Sequence, residues 1–363
     1  MLGRTLTLYF SGRLLKWILG LFLFAAVLIF MFDFLELVRR GSDREGFSVV
    51  QVALISALRV PSLLEQVLPF ATLFGAIAAF VSLSRSLELV VARAAGISVW
   101  QFCGPALVLA LLVGGVAITL YNPLAVYMKQ LSEDTGSSLF GTGGTRLLAK
   151  EQEIWLRQDG ANGETVLYAT SAEQGGIVLF DVSVLQFDRN GIFEERIEAD
   201  RAELQDGHWL LSNATAYEMD ARPQKLDTYE VSTFLSPTEV RERIADPESI
   251  SFWELPKFVE LAHRAGLPAY RYALQYQTLL ARPLLLAAMV LIAAAVSLKF
   301  SRFGGLGRMI LGGILAGFVL YVLSQLTRDL GGAGIIPPVI AAWSPGIVAT
   351  LMGFSILLHR EDG

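Results

Sequence analysis

Long apolar runs and short polar stretches alternate along this chain, and one extended polar block divides the runs into two sets of three. The apolar runs fall at about 14–38, 61–83, 97–121, 272–300, 309–326 and 339–358. A helix needs about 20 apolar residues to cross the hydrocarbon of a bilayer, so these runs read as six membrane spans. A shorter apolar stretch at 47–58, FSVVQVALISAL, reads as an interfacial or span-extending helix ending near Pro61. The polar block has a different period. Runs such as TVLYAT, IVLFDVSVLQF and HWLLSNATAYEMD are separated by the turns DGANGE, EQGG, DRNG and QDG. Glycine beside Asp or Asn, regularly spaced between β-branched and aromatic runs, predicts an all-β sandwich or barrel. Trp155, Trp209 and Phe193 are expected in its core. The expected organisation is therefore spans one to three over 1–127, a β domain over 128–250, and spans four to six over 251–363. Within the last part, 251–265 predicts a short amphipathic helix kinked at Pro256.

The polar interruption from Ser84 to Gly96, SRSLELVVARAAG, has a helical pattern of its own. Leu87, Val90, Val91 and Ala94 fall on one face, and Arg85, Glu88 and Arg93 on the other. Ser84 is placed to cap its start and Gly96 to end it in the left-handed conformation. Two readings fit the pattern alone. One is a helix lying flat at the membrane surface, ready to touch a soluble partner. The other is a solvated loop between two spans.

Charge sets the orientation. Arg4, Arg13 and Lys16 precede the first span, which puts the N-terminus in the cytoplasm. Lys299, Arg302 and Arg308 mark the loop after the fourth span as cytoplasmic too, so the β domain lies outside. Against this tendency, Arg39, Arg40 and Arg44 follow the first span on its outer side. Either Asp33, Glu36, Asp43 and Glu45 neutralise them, or the guanidinium forks meet phosphates at the outer leaflet. Arg282, beside Pro283 in the first turns of the fourth span, is expected either to snorkel to the interface or to make a second anion contact. Gly313 and Gly317 form a small-xxx-small pair in the fifth span, a close-packing signal.

Composition agrees with a polytopic membrane protein. The 363 residues are 53% hydrophobic and 17% charged, and mean hydropathy is +0.52. Soluble domains carry roughly 25% charged residues. The net charge of −5 argues against nucleic acid as a partner. A single cysteine, Cys103, excludes an intrachain disulfide, and His208, His263 and His359 are not at metal-ligand spacing. No metal or cofactor is expected. The first apolar run is too long for a cleavable signal and lacks a small-residue cleavage site. No phosphate-cradling Gly-x-x-x-x-Gly-Lys-Ser/Thr occurs, nor any nucleophile-elbow or zinc-protease motif, so no catalytic residue is expected. Energy for any transport must then come from another chain.

Three strings carry a family resemblance: VPSLLEQVLPFATLFGA in the second span, ELVVARAAGIS in the Ser84–Gly96 element, and GIIPPVIAAWSP before the last span. With the six-span layout and the β insertion, the chain resembles the YjgP/YjgQ permease family over nearly its whole length. Its members are membrane subunits of a lipopolysaccharide exporter. The resemblance implies a membrane α-helical fold of six transmembrane helices with an inserted periplasmic β-jellyroll domain. It implies an inner-membrane ABC transporter in which an LptF-like permease is the other half of a heterodimer. An LptB-like ATPase dimer would dock on coupling helices, and an LptC-like single-span subunit with its own jellyroll would join. Lipopolysaccharide would be drawn from the outer leaflet of the inner membrane and passed to a periplasmic bridge. The family's coupling glutamate falls on Glu88, flanked by Arg85 and Arg93. Its lipid A phosphate contacts fall on Arg39 and Arg40, and a further basic position of the family is Asp33 here. Two other readings stand beside transport. One is an assembly module anchored by the spans. The other is a mechanical relay linked to an ATPase that moves no lipid itself.

Overall fold

A computed structural model describes residues 4–42, 48–88, 91, 94–96, 98–140, 154–159, 163–173, 176–188, 192–218, 222–234, 247–264, 269–300 and 306–361. Six of its helices are long and apolar enough to cross a membrane. Helix α1 spans Arg4–Gly41 and α2 spans Val49–Arg85. The short 47–58 run is thus span-extending: it continues through Pro61 and Pro69 into one helix of 37 residues. Neighbouring helices and Ser/Thr side chains re-satisfy the backbone groups that a proline frees, so a membrane helix keeps prolines that would break a soluble one. Helix α3, Val99–Val116, opens on a reciprocal capping box between Ser98 and Gln101. It passes through a π-helical turn, Ala117–Tyr121, into α4, Asn122–Phe140. The return from the β domain runs through a 3-10 turn, Pro247–Ser249, to the short α5, Leu255–Arg264. Then come α6, Tyr270–Phe300, α7, Leu306–Gly332, and α8, Pro338–Glu361.

The centre of α6 is the axis of the bundle. Leu286 to Ala295 are buried as a continuous run in one core with Leu73 to Phe80 of α2 and Phe102 to Ala110 of α3, a core that Leu14 and Ile18 of α1 also join. Of the apolar stretch of each span, 67% is buried for the fourth and 6% for the first. Small residues set the closest approaches. A methyl group on Gly114 would lie 2.4 Å from the Pro283 Cα, so α3 and α6 touch backbone to backbone. Gly313 and Gly317 receive Ile77 and Leu73 of α2, which is the close packing their spacing predicts.

The β domain is one antiparallel sheet of six strands paired in chain order. They are β1 Ile154–Asp159, β2 Glu164–Glu173, β3 Val178–Phe187, β4 Phe193–Gln205, β5 His208–Glu218 and β6 Gln224–Ser232. Among the described residues no pairing of β1 with β6 closes it. Its core face carries Leu167, Val184, Ile197, Trp209 and Leu211. Three adjacent strands shift their alternation at one level. Leu179 is followed on the core face by Val182, Ala199 by Ala202, and Leu211 by Ala214. The residues skipped include Asp181 and Asn213, both with positive φ (49° and 55°). Short polar side chains tolerate that conformation best. Trp209 is fully buried, with its indole N–H donated to Gln158. Trp155 is not in the core as expected: it is 64% exposed and packs on Tyr168 across the β1–β2 pair. Its neighbour Leu156 takes the inward position, because side chains alternate along a strand.

Candidate functional site

The connection between α2 and α3 lies at the end of the third span opposite the β domain, since that span leads from one to the other. Helix α2 runs through Ser84, which is not the cap its position predicts. The break comes two residues later, where the Ser86 and Leu87 amides return to the Ser82 and Ser84 carbonyls. Burial of Leu83 against the core holds the last turn in the helix. Leu87 takes a φ of +60°, and helical turns resume, with the Val91 amide donating to Leu87 and the Ala95 amide to Val91. Gly96, at φ +83°, ends the element as expected. Arg85, Leu87, Val91 and Ala94 are exposed. Arg93 lies outside the described residues.

Glu88 is half-buried beside the cytoplasmic end of α1. A hydrogen bond from the Ser86 side chain holds its carboxyl below the ordinary carboxylate range, with smaller help from the Tyr9 hydroxyl and the charge of Arg13. Arg13 also donates to Tyr9 (3.2 Å) and to the Ser82 hydroxyl (3.0 Å). The element is therefore tied to α1 as well as continuous with α2. It presents a carboxylate, an arginine and apolar side chains to whatever lies beyond.

At the other end of α1, Arg39 is exposed and forms a fork with Glu36 at 2.8 and 3.0 Å. The backbone of Arg40 continues the helix, and its side chain lies outside what the structure describes. Asp33 faces α2, where Arg59 meets it at 3.2 Å. Its second oxygen, Oδ2, is buried with no hydrogen-bond partner among the described residues. Arg59 did not stand out in the sequence, although an arginine two residues before Pro61 in an apolar stretch is a usable signal.

Arg282 points into the bundle. It does not snorkel: its side chain is 12% exposed and bonds Glu65 of α2, itself 12% exposed. Asn122 Nδ2 donates to both Glu65 oxygens, at 3.0 and 3.2 Å. Asn122 Oδ1 in turn accepts the Phe252 amide at 2.9 Å. The Tyr121 hydroxyl donates to the Pro61 carbonyl at 2.9 Å. Sequence reading missed Glu65, which sits within VPSLLEQVLP. Its partner is 217 positions away. Among the described residues no group of histidine, cysteine and carboxylate side chains could hold a metal ion.

Comparison with known proteins agrees with this layout. The family of the lipopolysaccharide export system permease LptF/LptG matches residues 8–359. The chain is 25% identical over 328 residues to the lipopolysaccharide export system permease protein LptG of Escherichia coli (strain K12), covering 89% of each. It is 22% identical over 337 residues to the protein of the same name from Haemophilus influenzae, covering 89% of this chain and 90% of that one. With a match that runs through all six spans and the inserted sheet, this chain belongs to the lipopolysaccharide export permease family LptF/LptG.

Proposed function

We propose that this chain is one half of the membrane channel of an ABC transporter, driven through the 84–96 element by a separate ATPase. Family membership makes it a lipopolysaccharide export permease of the bacterial inner membrane, a transport subunit and not an enzyme. The finer reading adds partners and a route. An LptF-like permease completes a heterodimer, an LptB-like ATPase dimer docks beneath, and an LptC-like single-span subunit joins from the periplasmic side. Lipopolysaccharide leaves the outer leaflet of the inner membrane and passes to a periplasmic bridge.

One observation carries the coupling role: a charged and apolar element is exposed at the junction of two spans, and its glutamate is held ionised. Glu88 enters a groove of the ATPase, with Arg85 and Arg93 beside it. Closure of the ATP-bound dimer then displaces α2 and α3 as rigid bodies. Helices α1 and α7 both pack on α2 and both keep outer faces bare. Leu23, Phe24 and Val27 of α1 are exposed, as are Leu311, Phe318 and Val319 of α7. Those faces suit the partner permease and the acyl chains between the two halves. Arg39 and Arg40 contact the phosphates at the outer end.

Glu88→Ala tests the reading in proteoliposomes holding the assembled complex. The expected result is ATP hydrolysis without lipopolysaccharide release, in a permease that stays folded. Unchanged ATP-driven release would overturn it.

A further inference from the structure

The buried charge pair at Glu65 and Arg282 carries more than helix packing requires. Removing two charges from water costs more than apolar packing would, so a buried ion pair is poor evidence of a stability device. Ionisable groups inside membrane spans mark working positions by default. Here the carboxylate is fully answered. Both Glu65 oxygens accept from Asn122, and Arg282 supplies the opposite charge. Such a set of bonds is complete at one register of α2, α4 and α6 and broken at others, which apolar contacts are not.

The network also has a direction. From Glu65, α2 continues unbroken to Arg85 at the 84–96 element, about 30 Å away at 1.5 Å per residue. On its other side, Asn122 holds the Phe252 amide in the segment returning from the β domain. That segment is fastened at several further points. Lys129 donates to the Ser249 hydroxyl at 2.6 Å, Trp253 to the Thr119 carbonyl at 3.2 Å, and Gln66 to Glu248 at 3.5 Å. Thr119 lies in the π-helical turn that immediately precedes Asn122. Single π-turns recur at functional sites because they change which side chains and carbonyls face inward.

We infer that Glu65, Arg282 and Asn122 form a charge-neutral register latch that ties displacement of α2 to the root of the β domain. Glu65 and Arg282 are positioning residues on this account: they touch neither lipid nor nucleotide, and act by making helix movement and the periplasmic exit move together. The inference rests on the ATPase-driven reading above and deepens it.

The test uses the assembled complex in proteoliposomes. It compares Glu65→Gln, Arg282→Gln and the charge exchange Glu65→Arg with Arg282→Glu. Lipid released per ATP hydrolysed should fall about tenfold in each single variant, with hydrolysis itself within about twofold. The exchange restores opposite charges but not the two Asn122 bonds at position 65, so release should recover in part, to within about threefold. A second readout needs no transport. In a chain carrying Gln66→Cys with Glu248→Cys, disulfide formation should be efficient with the native latch and fall about fivefold when Glu65→Gln is added. Single variants that release lipid normally would overturn the inference. So would a charge exchange that folds but recovers neither release nor the cross-link. If a single variant fails to fold, the exchange variant decides by the same two measurements. A native complex that shows the cross-link but no ATP-driven release would overturn the transport reading and leave the latch standing.

Discussion

Two acid–arginine pairs tie α2 to its neighbours, and they are built differently. Toward α6, Glu65 and Arg282 are equally buried, and every carboxylate oxygen has a donor. Toward α1, Arg59 is 25% exposed, and Asp33 keeps a buried oxygen that no group among the described residues answers. The helices they join differ in the same way. The fourth span is the bundle's core and the first is its least covered span. A fully met pair fixes a register, whereas a half-met pair leaves its helix something to gain by moving. The difference teaches that burial of a charge in this bundle does not by itself say which joint is rigid. The count of answered oxygens does.

Breaking the complete pair should cost most. Arg282→Ala leaves Glu65 as a buried carboxylate without its counter-charge, at about 3–5 kcal/mol. The purified permease should melt well below the parent in detergent. Crowding the same joint should cost less. Gly114→Ala sets a methyl against the Pro283 backbone, and overpacking of this kind costs about 1–3 kcal/mol, read by the same melt. At the incomplete pair, Asp33→Asn should change stability by no more than about 1 kcal/mol, because the attraction to part-exposed Arg59 is screened and the unanswered buried atom becomes neutral instead of charged. A loss at Asp33 equal to that at Arg282 would erase the comparison.

The smallest effect is expected at Glu88, an acid outside the spans. Its folded pKa is lowered, so its contribution to stability is present above the ordinary carboxylate range and is lost as pH falls through the lowered value. The difference in melting between the parent and Glu88→Gln should therefore shrink on acidification below the ordinary carboxylate range. Ser86→Ala, which removes the main donor, should move that loss to higher pH.

Much of the architecture was legible because it follows from period and composition. Apolar runs of bilayer length, the period-two block with its glycine turns, and Gly313 with Gly317 each report on contacts local in sequence or generic in kind. The site was legible only in part. Glu88 and its flanking arginines stood out as charges in an apolar context. Glu65 did not, because a carboxylate in a span is explained by an arginine that arrives from another helix. Arg282 was visible, but its direction was not: snorkelling and inward pairing share one sequence signature, and the choice depends on what stands opposite. Trp155 misled for a related reason. Aromatic residues in strands are usually inward, but phase along β1 belongs to Leu156, and one position decides the face.

The shift shared by β3, β4 and β5 has a consequence for the domain's lining. Had one strand alone gained a residue, everything beyond it would have turned inside out, greasy side to water. Because three neighbours shift at the same height, the lining continues uninterrupted across the step. The domain thereby carries a transverse line at which the inward and outward positions of three strands change over together while the oily surface stays whole.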